Sequence, residues 1–237
     1  MKIKNSKIIL IIAIIVVAAG IFYYFNNHKK PQQGEEFKII DNQADIIWSE
    51  NLNLPADARQ NYEQRIADIE NQLKTATIVD DLVAHYNNLG LFNGYLGNYR
   101  VAYDYYLQSL EVAPEFRRSW LALGDLFFKM KAYQSAEAAY QKANAIFNYD
   151  DLGYRKLAEL YTQIYPTDMA KIRQVYKEGL EIVRNNTSND IPLMKHYAKW
   201  MESIGDKEGA ISIYEELKEK EPDNLAAYDR QIEQLKK

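Results

Sequence analysis

Chemistry at a protein site needs a nucleophile, an acid–base pair or a set of metal ligands held at defined spacing. The candidates in this chain of 237 residues are few: three histidines and no cysteine. His28, His85 and His196 share no metal-ligand spacing. His85 falls at the start of an expected helix and His196 within one, where an imidazole is ordinarily solvated or packed. The lack of cysteine excludes disulfides and thiolate-bound metals, and it leaves the redox compartment open. No Gly-rich phosphate loop, HExxH or GxSxG occurs. Asp80-Asp81 and Asp150-Asp151 are the conspicuous acid pairs. Each stands where a helix is expected to begin, and carboxylates there complement the helix dipole. The residue types thus point away from an enzyme, and no metal or cofactor is expected. A formal net charge of −4 gives no electrostatic footprint for nucleic acid.

What the chain does have is nineteen tyrosines, most of them at helical repeat positions. Tyr86, Leu89, Gly90, Gly97, Tyr99, Ala102, Tyr106 and Pro114 are matched 34 residues later by Trp120, Leu123, Gly124, Lys131, Tyr133, Ala136, Tyr140 and Asn148. Within the first copy, Tyr86, Leu89, Gly90 and Asn93 fall on one face of a helix expected over 83–96. A second helix is expected over 99–112, with Gly97-Asn98 as the turn and Pro114 as the stop. Lys131-Ala132 is a poorer turn signal in the second copy. Gly90 and Gly124 stand in mid-helix, where glycine costs about 1 kcal/mol relative to alanine. Their retention predicts a close approach of two helix backbones. The aromatic stripes predict a packed core.

This period, with an aromatic, then Leu-Gly, then Tyr-x-x-Ala-x-x-x-Tyr, resembles the tetratricopeptide repeat. The resemblance extends to a third copy over 151–190 and a fourth over 191–224. The third keeps Tyr154, Leu157, Ala158, Tyr161, Tyr176, Gly179 and Leu180, but has Ile172 in place of alanine and a longer turn at 165–168. The fourth keeps Met194, Tyr197, Ala198, Met201, Gly205, Ala210, Tyr214 and Pro222. The family implies a stack of helix hairpins, each burying its apolar face on its neighbours, and a protein or peptide partner. It also implies an inner wall lined by the first helix of each hairpin. By register that wall comprises Asn87, Asn88, Leu91 and Tyr95, then Arg118, Leu121 and Phe128, then Arg155 and Lys156, and last Lys195, His196 and Lys199. It is expected to be amide-rich and apolar at its first end and basic further on. The carboxylate clamp of some family members is not expected, because its positions hold Asn87, Leu91, Ala122, Leu152 and Lys156, of which only the last keeps a charge.

Two segments precede the repeats outside their register. Phe37, Ile40, Ala44, Ile47 and Trp48 follow a helical stripe. Residues 55–74 form a second amphipathic stretch, with Pro55 suited to a first turn. Residues 37–82 are therefore expected to be capping helices, and 225–237 a closing helix.

The N-terminus reads differently. Residues 1–7 are short and basic, and 8–25 are uncharged and apolar. As a helix the latter would span about 27 Å, near the roughly 30 Å hydrocarbon core of a bilayer. Phe22, Tyr23, Tyr24 and Phe25 close it with rings suited to the membrane interface. A cleaved signal peptide ending at Ala19 is the rival reading, but the apolar run continues past that site. Lys2, Lys4 and Lys7 outweigh Lys29 and Lys30, which places the N-terminus in the cytoplasm and the repeats outside. Residues 26–36 read as a polar linker. The expected protein is all-α: a single-pass transmembrane helix in the cell membrane, then an α-solenoid of about four hairpins. Its expected function is to bind another protein, in envelope assembly or secretion. A self-associating organiser of a membrane complex and a cytosol-facing receptor are the alternatives.

Overall fold

The computed structural model describes residues 38–186 and 189–237. The apolar run 8–25, with its flanks, lies outside them. Among the described residues no helix is long and apolar enough to cross a membrane. Residues from Ile39 to Lys237 form one unit.

Its described residues are all-α, with ten α-helices, two short 3-10 turns and no strand. Helix α1 is Ala56–Leu73. Four hairpins follow: α2 (Val79–Leu96) with α3 (Tyr99–Val112), α4 (Arg117–Lys129) with α5 (Tyr133–Ile146), α6 (Leu152–Ile164) with α7 (Met169–Asn186), and α8 (Ile191–Ser203) with α9 (Lys207–Lys220). Helix α10 (Leu225–Leu235) closes the stack. The first helix of each hairpin is its A helix and the second its B helix. Each hairpin packs internally, and each B helix also packs on the next A helix. A hairpin alone cannot cover its apolar face, so stability comes from these neighbour contacts.

Three of the four A–B turns use a left-handed residue: Gly97 at φ 81°, Lys131 at φ 61° and Gly205 at φ 78°. Glycine adopts this conformation freely, whereas the Cβ of lysine costs about 1–2 kcal/mol there. Lys131 thus forms the turn at a cost that Gly97 and Gly205 avoid.

The mid-helix glycines have a different partner from the one expected. A Cβ on Gly90 would stand 2.6 Å from Cε1 of Tyr106, and one on Gly124 would stand 2.4 Å from Cε1 of Tyr140. What approaches each A helix is therefore a tyrosine ring from its own B helix, not a second backbone. Tyr106 and Tyr140 are buried. The Tyr140 hydroxyl emerges to donate to Asp125 Oδ1 at 2.7 Å, and burial with that carboxylate pushes its pKa well above the usual phenol value.

The expected helix over residues 37–48 does not form in its described part. One 3-10 turn, Gln43–Asp45, interrupts an otherwise extended segment. Its amides and carbonyls are engaged by other elements, which leaves no local ladder for a helix. Ile47 donates to the Met130 carbonyl (2.9 Å), Glu50 donates to the Gly97 carbonyl (3.0 Å), and the Trp48 carbonyl accepts from Arg100 N–H (3.0 Å). Residues 39–54 are thus a strap lying along the A–B turns, touching the second repeat first and the first repeat afterwards. The other N-terminal helix does form as α1, with Pro55 just before it. Its Tyr62 ring stacks on Phe92 at 5.9 Å and tilts onto Tyr95 at 5.3 Å. Helix α2 begins at Val79, one turn earlier than the repeat pattern alone implies.

Candidate functional site

Successive A helices lie side by side, and side chains cross from one to the next. Lys129 of α4 sits 5.3 Å from the centre of the Tyr95 ring on α2. Lys156 of α6 pairs with Asp125 of α4 at 2.9 Å. His196 Nε2 of α8 lies 3.1 Å from Glu159 Oε1 of α6. The A helices therefore form one wall, with a polar ladder running from the second repeat to the fourth. Hydroxyls from B helices brace it from behind: Tyr176 lies 2.7 Å from His196 Nδ1, and Tyr214 donates to Glu202 at 2.6 Å. The hydrogen bond from His196, with Lys156 close by, holds the Glu159 carboxyl below its ordinary value although burial opposes this.

The structure sorts the residues that the repeat register assigned to this wall. Asn88, Leu91, Tyr95 and Arg118 are exposed on it, as is Lys199, and Phe128 is half-buried. Leu91 and Tyr95 are large apolar side chains 38% and 37% exposed. Asn87 and Leu121 are buried instead. The Asn87 amide donates to the Val83 carbonyl (2.9 Å) and lies 2.6 and 2.7 Å from the hydroxyls of Ser109 and Ser119. It joins α2, α3 and α4 in the interior, so it is a packing residue and not a contact for a partner.

The basic end is also altered. Arg155 pairs with Asp151 one turn earlier, Lys156 with Asp125, and Lys195 with Glu221 at 2.8 Å. His196 engages Glu159. The expected basic stretch is thus largely neutralised by carboxylates of the chain itself. Among the described residues, Arg118 and Lys199 enter no ion pair. Asp125 and Glu159 lie one repeat earlier, Asp151 at the start of the same helix, and Glu221 just after the B helix of the same repeat, and their positions depend on how the hairpins are stacked.

Two features were outside the reach of the repeat register. One is the ladder just described. The other is an open cleft of about 540 Å³ between α7 and α9, with Leu180, Met201 and Tyr197 at its base and Arg173, Lys177 and Arg184 at its rim. Arg173 is tied to Asp206 at 2.9 Å and Arg184 to Glu216 at 2.6 Å. Among the described residues no group of three or more potential metal ligands occurs.

Stacked antiparallel hairpins with a side-by-side wall of first helices define a helical-repeat scaffold. The family model for the tetratricopeptide repeat matches residues 86–116 and 118–149, so the first two hairpins are tetratricopeptide repeats. Its fold is similar to that of MamA in two crystal structures. One is 17% identical, with a TM-score of 0.52, and the alignment covers 74% of this chain and 99% of that one. The other is 19% identical, with a TM-score of 0.51, covering 72% and 88%. A thermophilic protein of the same repeat class from Thermus thermophilus aligns at 13% identity and a TM-score of 0.49, over 76% of this chain and 92% of its own. These identities bear on fold alone. No curated protein matches the chain by sequence.

Proposed function

We propose that this chain is a protein-binding scaffold, held at a membrane by residues 8–25, whose A-helix wall receives a segment of a partner protein. The observation that carries the binding reading is the exposure of Leu91 and Tyr95 on that wall, beside Asn88 and half-buried Phe128. Apolar side chains left open on an otherwise well-paired wall are what a partner's own apolar residues can cover. The pairing of Lys156, Lys195 and His196 narrows the partner. The segment that fits is mainly apolar at the first repeat, with acidic groups where Arg118, Lys129 and Lys199 offer charge outside any ion pair. Repeat scaffolds of this family are generally not enzymes, so an activity that co-purifies belongs to the partner. The apolar run 8–25 and its interface rings support the anchor. The charge balance around it supports an extracytoplasmic array, and that layout favours a role in envelope assembly or secretion.

Affinity capture with the full chain in native membranes tests the binding reading. Leu91→Glu with Tyr95→Glu is expected to lose the captured protein. Lys142→Glu with Lys177→Glu, on B helices, is expected to retain it. Equal loss from both pairs would place the site elsewhere. Reporter fusions after Lys30 and at the C-terminus are expected to read extracytoplasmic, and cytoplasmic signals would overturn the orientation.

A further inference from the structure

Helix α5 begins without a capping side chain of its own. Ala132 stands at its N-cap and offers no oxygen, which leaves the first amides of the helix in want of acceptors. The missing acceptor arrives from the strap. Asp41 accepts from Gln134 N–H at 3.0 Å through one carboxylate oxygen, and from Ser135 N–H at 2.8 Å and the Ser135 hydroxyl at 2.6 Å through the other. Ile40 N–H donates to the same hydroxyl at 2.9 Å. Seven residues after Asp41 the strap makes its second anchor. The Trp48 ring lies under the Arg100 guanidinium at 4.7 Å and edge-on to Tyr103 at 5.9 Å. Between them Ile46 is buried. Glu50 then accepts from the Tyr99 hydroxyl at 2.7 Å; burial first, and this carboxylate second, push the Tyr99 pKa up to about 12.

Gly97 shows how closely the strap fits. A Cβ there would stand 2.0 Å from the Glu50 carbonyl oxygen. At the equivalent Gly205 of the fourth repeat, a Cβ would meet nothing within 4 Å. Both glycines have positive φ, so turn geometry accounts for both, but only Gly97 also clears room for a passing chain.

We propose that the turn edge of the first two repeats is a peptide-binding site in its own right, filled in this chain by residues 40–50. It recognises an extended segment with a carboxylate at the α5 N-terminus, a tryptophan on the Arg100–Tyr103 corner, and backbone groups on Met130 and Gly97. The site uses none of the residues assigned above to partner binding. Its occupant is covalently attached, so it acts at a high effective concentration, of millimolar order for a short connection.

The test uses the full chain and a labelled peptide of residues 39–54. The peptide is expected to bind wild-type protein poorly, because the attached strap competes. It should bind a chain carrying Asp41→Ala and Trp48→Ala at least tenfold more tightly, and the same peptide bearing Asp41→Ala should lose that gain. A variant with wild-type circular dichroism that takes up no peptide would overturn the proposal, as would equal uptake by both proteins. If the variant does not fold, hydrogen exchange on wild-type protein decides. Strap amides of Ile40, Ile47 and Glu50 should open together with Gln134 and Ser135, before the interior amides of α4 and the rest of α5 exchange. Opening only with global unfolding would show that the strap is not separable.

Discussion

Helix α5 starts after Ala132, and helix α9 starts after Asp206. The first takes its cap from Asp41, 94 residues away. The second takes its cap from the residue beside it, with Asp206 accepting from Gly209 N–H at 2.9 Å. The same contrast separates α3 from α7. Asn98 makes no side-chain cap for α3, where the strap carbonyl of Trp48 receives Arg100 N–H. In α7, Asp168 accepts from Lys171 N–H at 3.0 Å. Repeats one and two are thus completed from outside the repeat, and repeats three and four from within it. The joint between the last two repeats is also polar. Asp190, fully buried, receives Arg184 at 2.5 Å and Lys220 at 3.2 Å. A repeat pattern fixes which faces pack, but the satisfaction of helix ends can come from any segment that reaches them.

The comparison can be broken most severely in the interior. Trp120 is buried and its indole N–H donates to the Pro114 carbonyl at 2.8 Å. Trp120→Ala is expected to cost about 3–5 kcal/mol in urea denaturation, and a cost under about 1 kcal/mol would show that the ring does not fill the core of the second repeat. Next comes Asp190→Asn, which leaves Arg184 and Lys220 facing a neutral group. Loss of one member of a buried pair costs about 3–5 kcal/mol, and the partial exposure of Arg184 and Lys220 puts this case near or below the lower figure.

Acid makes the same point without mutation. Burial pushes the Asp190 carboxyl up, but Arg184 and Lys220 outweigh it and hold the pKa below the ordinary value. A depressed carboxylate stabilises the fold above the unfolded pKa, near 3.9, and that contribution is lost as pH falls through the lower folded value. Stability measured against pH should therefore fall less steeply at acid pH in Asp190→Asn than in wild type. Parallel curves would remove Asp190 from the acid response of repeats three and four.

Smaller effects sharpen the contrast at the helix ends. Asp41→Ala and Asp206→Ala should each cost about 0.5–2 kcal/mol as lost caps, measured by urea titration. The least effect is expected from Lys199→Glu, within about 0.5 kcal/mol, because Lys199 is exposed and unpaired among the described residues.

The hairpins were legible because their signals are local and periodic. Tyr86 to Asn93 on one face, Gly97 in the turn and Pro114 after the helix each act within a few residues. The strap was not legible for the opposite reason. Ile40, Ala44, Ile47 and Trp48 have helical spacing, but the backbone partners of Ile47 and Trp48 are Met130 and Arg100, tens of residues away. Asp41 falls within the stretch expected to be helical, although Ala132 at a helix start was a signal that a cap had to come from elsewhere. The wall was half legible. Register placed Leu91, Tyr95, Phe128 and Lys199 on it, but could not foresee that Asn87 faces Ser109 and Ser119. Nor could it foresee that Lys156 would be met by Asp125 from the preceding repeat. Those outcomes depend on the rotation between hairpins, which no short sequence window encodes.

Residue-resolved hydrogen exchange on the full chain, wild type against Asp41→Ala, tests the contrast most directly. The account predicts that Gln134 and Ser135 amides lose protection at least severalfold, about 1 kcal/mol of cap energy being close to a factor of five, while the Gly209 amide at the start of α9 is unchanged. Unchanged protection at Gln134 and Ser135, or an equal loss at Gly209, would contradict it.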